Sequence, residues 1–295
     1  MPAHSMQNRT IIGVDLGGTK IDVARYDAAT WERQAAERYP THADRTFGHV
    51  LDDLVAAIEQ IRTADTVAIG IGVPGLVRQS DGTIVTLPNI PGAEGAPLKQ
   101  QLEQRTDLPV TLENDANCFT LAEALRGAGK GQDVVVGITL GTGVGGGIVI
   151  NGTLFRGAHG YGGEIGHMLL QPGQPPFATE DKRGDVEQFL SGNAMGKRCE
   201  QAKNPGEYLS GDTCSFMHPD LFRELAWLCT NLVHALDPSA IVLGGSAGRA
   251  LKPHLKDIQR ELHQWVLPGT PLPALVTAEL EDSATLGAAL LAAHS

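Results

Sequence analysis

Two stretches of this chain share one pattern: an apolar strand, a glycine-rich turn and a second apolar strand. Residues 12–19 read IGVDLGGT, and residues 136–143, about 124 positions later, read VGITLGTG. In both stretches apolar residues resume soon after the turn. Self-similarity at a long, fixed distance predicts a duplicated fold, in which two related domains each open on a strand–turn–strand unit.

The rest of the chain alternates between the apolar periods of helices and of strands. The predicted helices are 44–61, 98–104, 114–125, 221–236 and 284–293. The predicted strands that accompany the repeats are 66–73, 110–113, 134–140, 148–150 and 240–243. This alternation predicts an α/β architecture. We expect a smaller domain of residues 9–118 plus 282–295 and a larger one of residues 119–281.

The two glycine turns are candidate phosphate-binding sites. Glycine supplies 36 of the 295 residues, and where it clusters, backbone N–H groups can approach an anion closely and point the same way. A carboxylate such as Asp15 would repel phosphate unless a cation, typically Mg²⁺, lay between them. A tight hairpin without ligand explains one such turn. It is a weaker explanation for two turns that both carry threonine, with a third glycine pair at Gly244-Gly245.

Two other phosphate-binding designs fit less well. No stretch of the chain matches the P-loop pattern, and Gly141, Gly143 and Gly146 match the dinucleotide pattern G-x-G-x-x-G only in spacing. That pattern requires a helix after the turn, whereas residues 148–150 read as strand and precede the hairpin turn Asn151-Gly152. An NAD-linked oxidoreductase is rejected on this ground, and phosphates held at the turns of two β-hairpins are favoured.

Residues 113–117 read ENDAN and lie where a predicted strand ends and a helix begins. Phosphoryl transfer to a sugar hydroxyl needs a carboxylate that orients the hydroxyl and accepts its proton. Asn and Asp are also common helix caps, and a cap needs no catalysis. Because the segment directly precedes the second glycine turn, we favour Asp115 as a catalytic base, with Asn114 beside it to hold a neighbouring hydroxyl.

A second polar group lies in the glycine-rich stretch 157–167. Glu164 and His167 are three positions apart, near enough to converge on one ligand. Carboxylate and imidazole groups suit the adjacent hydroxyls of a sugar. The alternative is that both are surface residues of a glycine-rich loop.

As a set, these motifs resemble the ROK family of bacterial sugar kinases and sugar-responsive repressors, within the actin/hexokinase/Hsp70 fold group. They run in family order: DLGGTK at 15–20, GVPG at 72–75, ENDANC at 113–118, LGTGVG at 140–145, GEIGH at 163–167, DP at 237–238 and VLGG at 242–245. The resemblance implies an α/β fold of two related RNase H-like (actin/hexokinase-like) domains around a cleft. It also implies ATP with Mg²⁺ as phosphate donor and a hexose or N-acetylhexosamine as acceptor.

The resemblance assigns roles to single residues. Asp115 would activate the 6-hydroxyl of the sugar, and Asp15 would face Mg²⁺. The residues expected to bind the sugar are Asn89, Asn114, Asp115, Glu164, His167 and Glu187. The residues expected to bind the nucleotide are Asp15, Gly17, Gly18, Thr19, Lys20, Thr142, Gly143, Gly244 and Gly245.

One departure from the family pattern concerns zinc. Many members carry a C-x-C-G-x-x-G-C zinc motif between the histidine matching His167 and the glutamate matching Glu187. Residues 168–186 contain no cysteine here, and Cys199 and Cys214 come too late in the chain. A closed structural zinc site needs such thiolates. We therefore expect no structural zinc, and the Pro- and Gly-rich segment 171–184 must be ordered in another way.

Composition narrows the partners and the compartment. The 34 Asp and Glu against 23 Lys and Arg give a net charge of -11, which disfavours nucleic acid and anionic membranes as partners. The four cysteines lack C-x-x-C spacing and suit free thiols in a reducing cytoplasm. No signal peptide or transmembrane run is recognisable. Met1–Gln7 is expected to be disordered or to precede a natural start at Met6. The resemblance suggests a homodimer.

Two other functions are alternatives within the resemblance. A repressor would need an N-terminal helix-turn-helix, for which the first strand at Ile11 leaves no room. A sugar-sensing regulatory protein without catalysis would be signalled by loss of Asp115 or of the glycine turns, and both are intact. The acceptor stays open among glucose, N-acetylglucosamine, N-acetylmannosamine and fructose, with the first two favoured.

Overall fold

The computed structural model describes residues 9–293, so the predictions for Met1–Gln7 lie outside the described residues. The chain divides into two compact units. Among the described residues, unit 1 contains 9–122, 156–162 and 282–293, and unit 2 contains 123–155 and 163–281. The domain bounds expected from the sequence, 9–118 plus 282–295 and 119–281, stay a prediction.

Both units alternate strands with helices. The strands are β1 (Thr10–Leu16), β2 (Lys20–Asp27), β3 (Arg33–Pro40), β4 (Thr66–Val73), β5 (Leu76–Arg78), β6 (Thr83–Thr86), β7 (Val110–Asn114), β8 (Val134–Leu140), β9 (Val144–Ile150), β10 (Thr153–Leu154), β11 (Ala240–Gly244) and β12 (Ala274–Thr277). The helices are α1 (Phe47–Ile61), α2 (Leu98–Thr106), α3 (Asp115–Arg126), α4 (Val186–Leu190), α5 (Gly192–Arg198), α6 (Pro205–Leu209), α7 (His218–Leu236), α8 (Gly245–Ala250), α9 (Leu255–Trp265) and α10 (Ser283–Ala292).

The two main sheets have the same topology. In unit 1 the strand order is β3-β2-β1-β4-β7, and in unit 2 it is β10-β9-β8-β11-β12. In each sheet the first three strands form an antiparallel meander, and the last two are parallel to the first strand of the meander. The duplicated α/β fold predicted from the two glycine turns is therefore confirmed.

Local patterns predicted the longer elements of the two repeats but not the short helices and strands between them. Strand β4 has the predicted bounds, and α1 ends at the predicted Ile61 but begins at Phe47 instead of Asp44. His42, two positions before Asp44, has a φ of 49°, so the chain turns there before the helix begins. The sequence reading missed β3, because this edge strand is mostly exposed and lacks an apolar face.

Each unit has its own hydrophobic core. In unit 1 the apolar face of α1 packs with β1, β2 and β4, and in unit 2 residues of α7 and α9 pack with β8 and β11. The last helix, α10, packs against β1 and β4. A Cβ atom at Gly13 would collide with the carbonyl of Thr285, and one at Gly70 with that of Ala288. Glycine at both positions therefore lets the helix approach the sheet closely.

The cysteines correct one prediction. Cys199 and Cys214 form a disulfide with a Cα–Cα distance of 6.0 Å, whereas Cys118 and Cys229 are buried free thiols. The prediction of four free thiols is therefore wrong for the first two. The fold between them brings their Cα atoms within bonding range, and a separation of 15 residues along the chain gives no recognisable motif.

Across residues 9–293, every helix is too short or too polar to cross a lipid bilayer.

Candidate active site

Three parallel strands of unit 1 end at the same edge of their sheet, and predicted site segments follow β1 and β7. Asp15 in β1 pairs in register with Gly72 in β4, and Gly72 pairs with Glu113 in β7. The turn after β1 and the junction between β7 and α3 therefore lie side by side. In α/β sheets this edge, at the carboxyl ends of the strands, is where ligands bind.

The first glycine turn is closed by its own backbone. The amide of Gly17 donates to the carbonyl of Lys20 at 2.8 Å. Thr41, which is fully buried, holds the turn from outside: its Oγ1 donates to the Gly17 carbonyl at 2.6 Å and its amide to the Thr19 carbonyl at 3.1 Å. The turn thus has a defined shape.

Two predicted ligand-binding residues lie beside this turn. Asn89 packs on Gly18 so closely that a Cβ atom there would be 2.5 Å from the Cβ of Asn89. The Lys20 ammonium contacts the carboxylate of Asp22 at 2.6 Å, and Arg38 binds the same carboxylate at 2.5 Å. The structure therefore brings Asn89 to the turn, while the charge of Lys20 is engaged by its neighbour on β2.

Asp15 has an unusual ionisation. Burial raises its pKa to about 6, against the opposing influence of the Lys20 charge. A carboxylate whose negative charge is disfavoured by burial is stabilised by a nearby cation, and carboxylate oxygens are ligands that Mg²⁺ prefers. Asp15 therefore fits the role of facing Mg²⁺.

At the junction between β7 and α3, the neighbouring residues Asn114 and Asp115 make different contacts. Oδ1 of Asn114 accepts hydrogen bonds from the amides of Ala116 and Asn117 at 2.9 and 3.1 Å, which is the geometry of a helix N-cap. Its Nδ2 donates to the carbonyl of Gly75 at 3.2 Å. Asp115 is the first residue of the helix and is partly exposed. The capping role thus falls on Asn114.

Sequence reasoning missed an ion pair with a buried carboxylate at this junction. The side chain of Glu113 is 3% exposed, and its Oε2 accepts from Nε of Arg156 at 2.6 Å. Its Oε1 accepts from Nδ2 of Asn117 at 3.1 Å. Glu113 stood inside the motif that singled out Asp115, but no pattern in the sequence indicated a partner 43 positions away.

The second glycine turn, in unit 2, is held by the α4–α5 region. The amide of Gly192, at the start of α5, donates to the carbonyl of Gly141 at 2.7 Å. Oε2 of Glu187, from α4, accepts from the amide of Val144 at 2.9 Å, and its carboxylate lies where a side chain on Gly143 would go. Glu187, which the sequence assigned to sugar binding, therefore shapes the second glycine turn.

The third glycine pair adjoins the second turn. Gly244 ends β11 and pairs in register with Thr139 of β8. Gly245 has a φ of 73°, and a Cβ atom there would collide with the backbone of Leu140. A residue with a side chain would fit neither the dihedral angle nor the space. The two predicted nucleotide-binding segments of unit 2 thus lie together at one edge of its sheet.

Glu164 precedes a short 3-10 turn, Ile165–His167, and His167 is its last residue. Burial raises the pKa of Glu164, and the nearby His167 partly offsets this. His167 is exposed, and its Nδ1 lies 3.7 Å from Oδ2 of the buried Asp185. The sequence reading did not single out Asp185, which also caps α4 by accepting from the amide of Gln188.

Segment 168–186 is ordered by hydrogen bonds. The amides of Leu170 and Gln171 both donate to the carbonyl of Gly184, at 2.8 and 3.0 Å, and the amide of Val186 donates to that of Met168 at 2.8 Å. Within residues 9–293, no three His, Cys, Asp or Glu side chains are grouped so that they could hold a metal ion. Backbone pairing thus organises the segment where family members with the cysteine motif would have zinc.

The predicted residues fall into two sets, one in each unit. Unit 1 holds Asp15, Gly17, Gly18, Thr19, Lys20, Asn89, Asn114 and Asp115. Unit 2 holds Thr142, Gly143, Glu164, His167, Glu187, Gly244 and Gly245.

Comparison with known proteins identifies the family. The family model of the ROK family matches residues 11–295. This chain belongs to the ROK family. The resemblance drawn from the motifs is therefore confirmed, and it extends over the chain from its first strand onward.

Curated ROK relatives include two kinds of sugar kinase. The chain is 32% identical over 301 residues to the N-acetyl-D-glucosamine kinase of Vibrio atlanticus, covering 95% of this chain and 98% of the relative. It is 33% identical over 312 residues to the glucokinase of Streptomyces coelicolor, covering 95% and 96%.

Solved ROK structures share the fold. The ROK hexokinase of Thermus thermophilus superposes with a TM-score of 0.83 at 32% identity, over 96% of this chain and 97% of that one. A ROK family glucokinase from Streptomyces griseus in complex with glucose and AMPPNP superposes with a TM-score of 0.79 at 32% identity, over 97% and 100%.

Proposed function

We infer that this chain is an ATP-dependent sugar kinase. The ROK family match over residues 11–295 and the sugar kinases among its relatives support this activity. The observation that carries the residue assignment is the placement of Asp115 beside the Asp15 turn, at the edge of the sheet of unit 1. An inactive sugar-sensing protein is not favoured, because the acidic residue and both glycine turns are present.

We propose Asp115 as the catalytic base. A carboxylate at the first position of a helix is stabilised in its ionised form by the positive end of the helix dipole, and the amide of Ala116 donates to its Oδ1 at 2.8 Å. An ionised, oriented carboxylate can accept the proton of the attacking hydroxyl. Its partly exposed position leaves it accessible to a ligand.

The proposed acceptor is the 6-hydroxyl of a hexose or N-acetylhexosamine. Asn89, Asn114, Glu164, His167 and Glu187 are proposed to bind the hydroxyls of the sugar, since amide, carboxylate and imidazole groups match their donors and acceptors. Glucose and N-acetylglucosamine are the favoured sugars, because relatives named for each show nearly equal identity to this chain.

The glycine turns are proposed to bind ATP. Their closely approaching backbones suit phosphate oxygens, and the proposed contacts are Gly17, Gly18, Thr19, Lys20, Thr142, Gly143, Gly244 and Gly245. Mg²⁺, when bound, would offset the charge of the phosphates, and Asp15 would hold it. We also propose that the enzyme works in the cytoplasm, where ATP is supplied, and that it is a homodimer, which light scattering would test.

The first experiment is a coupled assay of ADP release with ATP and Mg²⁺ against a panel of hexoses and N-acetylhexosamines. One strong responder would support the activity and name the acceptor, and NMR of the product would locate the phosphate on the 6-oxygen. A folded protein that releases no ADP with any sugar would contradict the proposal.

A further inference from the structure

Glu113 is the centre of a hydrogen-bond network beneath the proposed catalytic base. Its buried carboxylate accepts from Nε of Arg156 at 2.6 Å, from Nδ2 of Asn117 at 3.1 Å and from the amide of Asn114 at 3.0 Å. Asn114 immediately precedes Asp115 in the chain, and Asn117 follows it by two residues in α3. The Glu113 carboxylate therefore holds the backbone before Asp115 and a side chain after it.

Arg156 reaches this carboxylate from a segment that leaves unit 2 and joins unit 1. Residues 156–162 belong to unit 1, whereas Phe155 and Gly163 on either side belong to unit 2. The segment lies against the end of β5, where a Cβ atom at Gly160 would be 3.4 Å from the side chain of Gln79 and 3.9 Å from the carbonyl oxygen of Val77. Immediately after it come Gly163 and Glu164. The ion pair thus anchors this segment to the start of α3 within unit 1.

The network has a cost that a purely packed junction would not have. Oδ1 of Asn117 is buried and has no hydrogen-bond partner within residues 9–293. A buried amide oxygen left in this way destabilises a protein. The ion pair has only its carboxylate fully buried, since the Arg156 side chain is 34% exposed. An ion pair of this kind is often no more stabilising than apolar residues of the same volume. Stability alone is therefore a weak explanation of the arrangement.

The charged groups of Glu113, Arg156 and Asp115 all lie near the buried thiol of Cys118. Burial raises the pKa of the Cys118 thiol well above its usual value, and the carboxylates of Glu113, Asp115 and Asp15 raise it further, while Arg156 lowers it. The three carboxylates and the guanidinium therefore all lie close enough to this thiol of α3 to affect its pKa. The guanidinium of Arg156 offsets the negative charge of Glu113 in the surroundings of Asp115.

We propose that Glu113 and Arg156 are a positioning pair for Asp115, which holds the start of α3 in place and keeps the charge near the base balanced. This inference rests on the proposed function, because it assumes that Asp115 is the base. Neither residue of the pair is assigned a contact with substrate.

The test is the pH profile of kcat/KM for the sugar, since its acid limb reports the ionisation of the free enzyme's base. In Arg156→Gln the charge of Glu113 is no longer offset, so Asp115 holds its proton more tightly and the acid limb moves to higher pH. In Glu113→Gln the charge of Arg156 is no longer offset, so the limb moves to lower pH. Each shift should be about half to one pH unit.

The double variant Glu113→Gln with Arg156→Gln should return the acid limb close to its wild-type position, because the net charge is restored. Asp15 on β1 and Cys118 on α3, the other ionisable groups in this surrounding, are the same in every variant. We expect kcat to fall about tenfold in Arg156→Gln, while the KM for ATP stays within about twofold.

Arg105→Gln is the matched control. Arg105 also belongs to unit 1 and pairs with an acidic residue, Asp52, but on the exposed surface of α1 and α2. This variant should keep the wild-type kcat and pH profile. If Arg156→Gln does not fold, Arg156→Lys replaces it: the charge is kept, so the acid limb should stay in place while kcat falls.

Shifts of the acid limb in the same direction in both single variants, or unchanged kcat and profile in folded variants, would overturn the positioning role. A wild-type enzyme inactive towards every sugar would instead overturn the proposed function. The two failures are therefore distinguishable.

Discussion

Three carboxylates at the edge of the unit 1 sheet, those of Asp15, Glu113 and Asp115, have different surroundings, and these surroundings favour different roles. Asp15 is partly buried, and the loss of solvent raises its pKa to about 6. Glu113 is fully buried but is paired with Arg156. Asp115 lies at the start of a helix, where negative charge is favoured. One chemical group thus serves as a candidate cation ligand, a positioning group and a candidate base.

The role of Asp115 is tested by Asp115→Asn. This change preserves the shape of the side chain but removes the proton acceptor, so we expect kcat to fall by about 10²–10⁴ while the dissociation constant of the sugar changes little. Turnover by the coupled assay and sugar binding by calorimetry measure the two effects. Asp107→Asn, at an exposed residue in the left-handed conformation that Asn also tolerates, is the control. Near-normal turnover in Asp115→Asn would rule out the assignment.

The raised pKa of Asp15 predicts a pH-dependent stability in the absence of Mg²⁺ and nucleotide. The folded state binds the proton more tightly than the unfolded state, so Asp15 favours folding below about pH 4 and this contribution is lost as the pH rises to about 6. At pH 8 the free energy of unfolding of Asp15→Asn should therefore exceed that of wild type by about 1–3 kcal/mol, which denaturant unfolding measures. Near pH 3.5 the difference should vanish. Equal stability at pH 8 would show that Asp15 is not desolvated.

At the scale of elements, each glycine turn takes its shape from a neighbouring element. Thr41, just after β3, holds the first turn, and the α4–α5 region holds the second through Gly192 and Glu187. Segment 168–186 similarly depends on backbone pairing around Gly184. The local sequence supplies the turn, and a distant element sets the direction of its peptide groups.

Two variants of Glu187 should separate its contact with the turn from its proposed contact with the sugar. Glu187→Gln keeps an oxygen that can accept from the amide of Val144, so it should raise the KM for the sugar and leave that for ATP nearly unchanged. Glu187→Ala leaves that amide without its acceptor, so both KM values should rise, that for ATP about tenfold. Steady-state kinetics with each substrate varied in turn measures both. Glu164→Gln removes a charge at another proposed sugar contact and should raise only the KM for the sugar. An unchanged KM for ATP in Glu187→Ala would contradict the proposed link.

At the scale of the whole molecule, the last helix of the chain belongs to unit 1 and not to unit 2, which precedes it in sequence. Helix α10 follows the last strand of unit 2 in sequence but packs against β1 and β4 of unit 1. The close approach depends on positions without a side chain, at Gly13 and Gly70. The first and the last segments of the chain thus stabilise the same unit.

Gly70→Ala tests this packing. The added Cβ would collide with the carbonyl of Ala288, so α10 must move away from the sheet, and we expect a loss of about 1–3 kcal/mol in the free energy of unfolding. Gly48→Ala in α1 is the control: its Cβ meets no atom closer than 3.8 Å, and alanine is the better helix former, so stability should rise by about 0.5–1 kcal/mol. Denaturant unfolding measures both. An unchanged free energy of unfolding in Gly70→Ala would contradict the close approach of α10 to β4.

Features that depend on residues close together in the chain were predictable from the amino-acid sequence. The strand–turn–strand repeats, the bounds of β4 and the capped start of α3 follow from apolar period, glycine and capping chemistry, and family order added Asp115. The three-dimensional structure was needed to find which distant residues meet: Arg156 with Glu113, Glu187 with the amide of Val144, and Cys199 with Cys214. Such pairs depend on how whole elements pack, and a local pattern carries no signal of its distant partner.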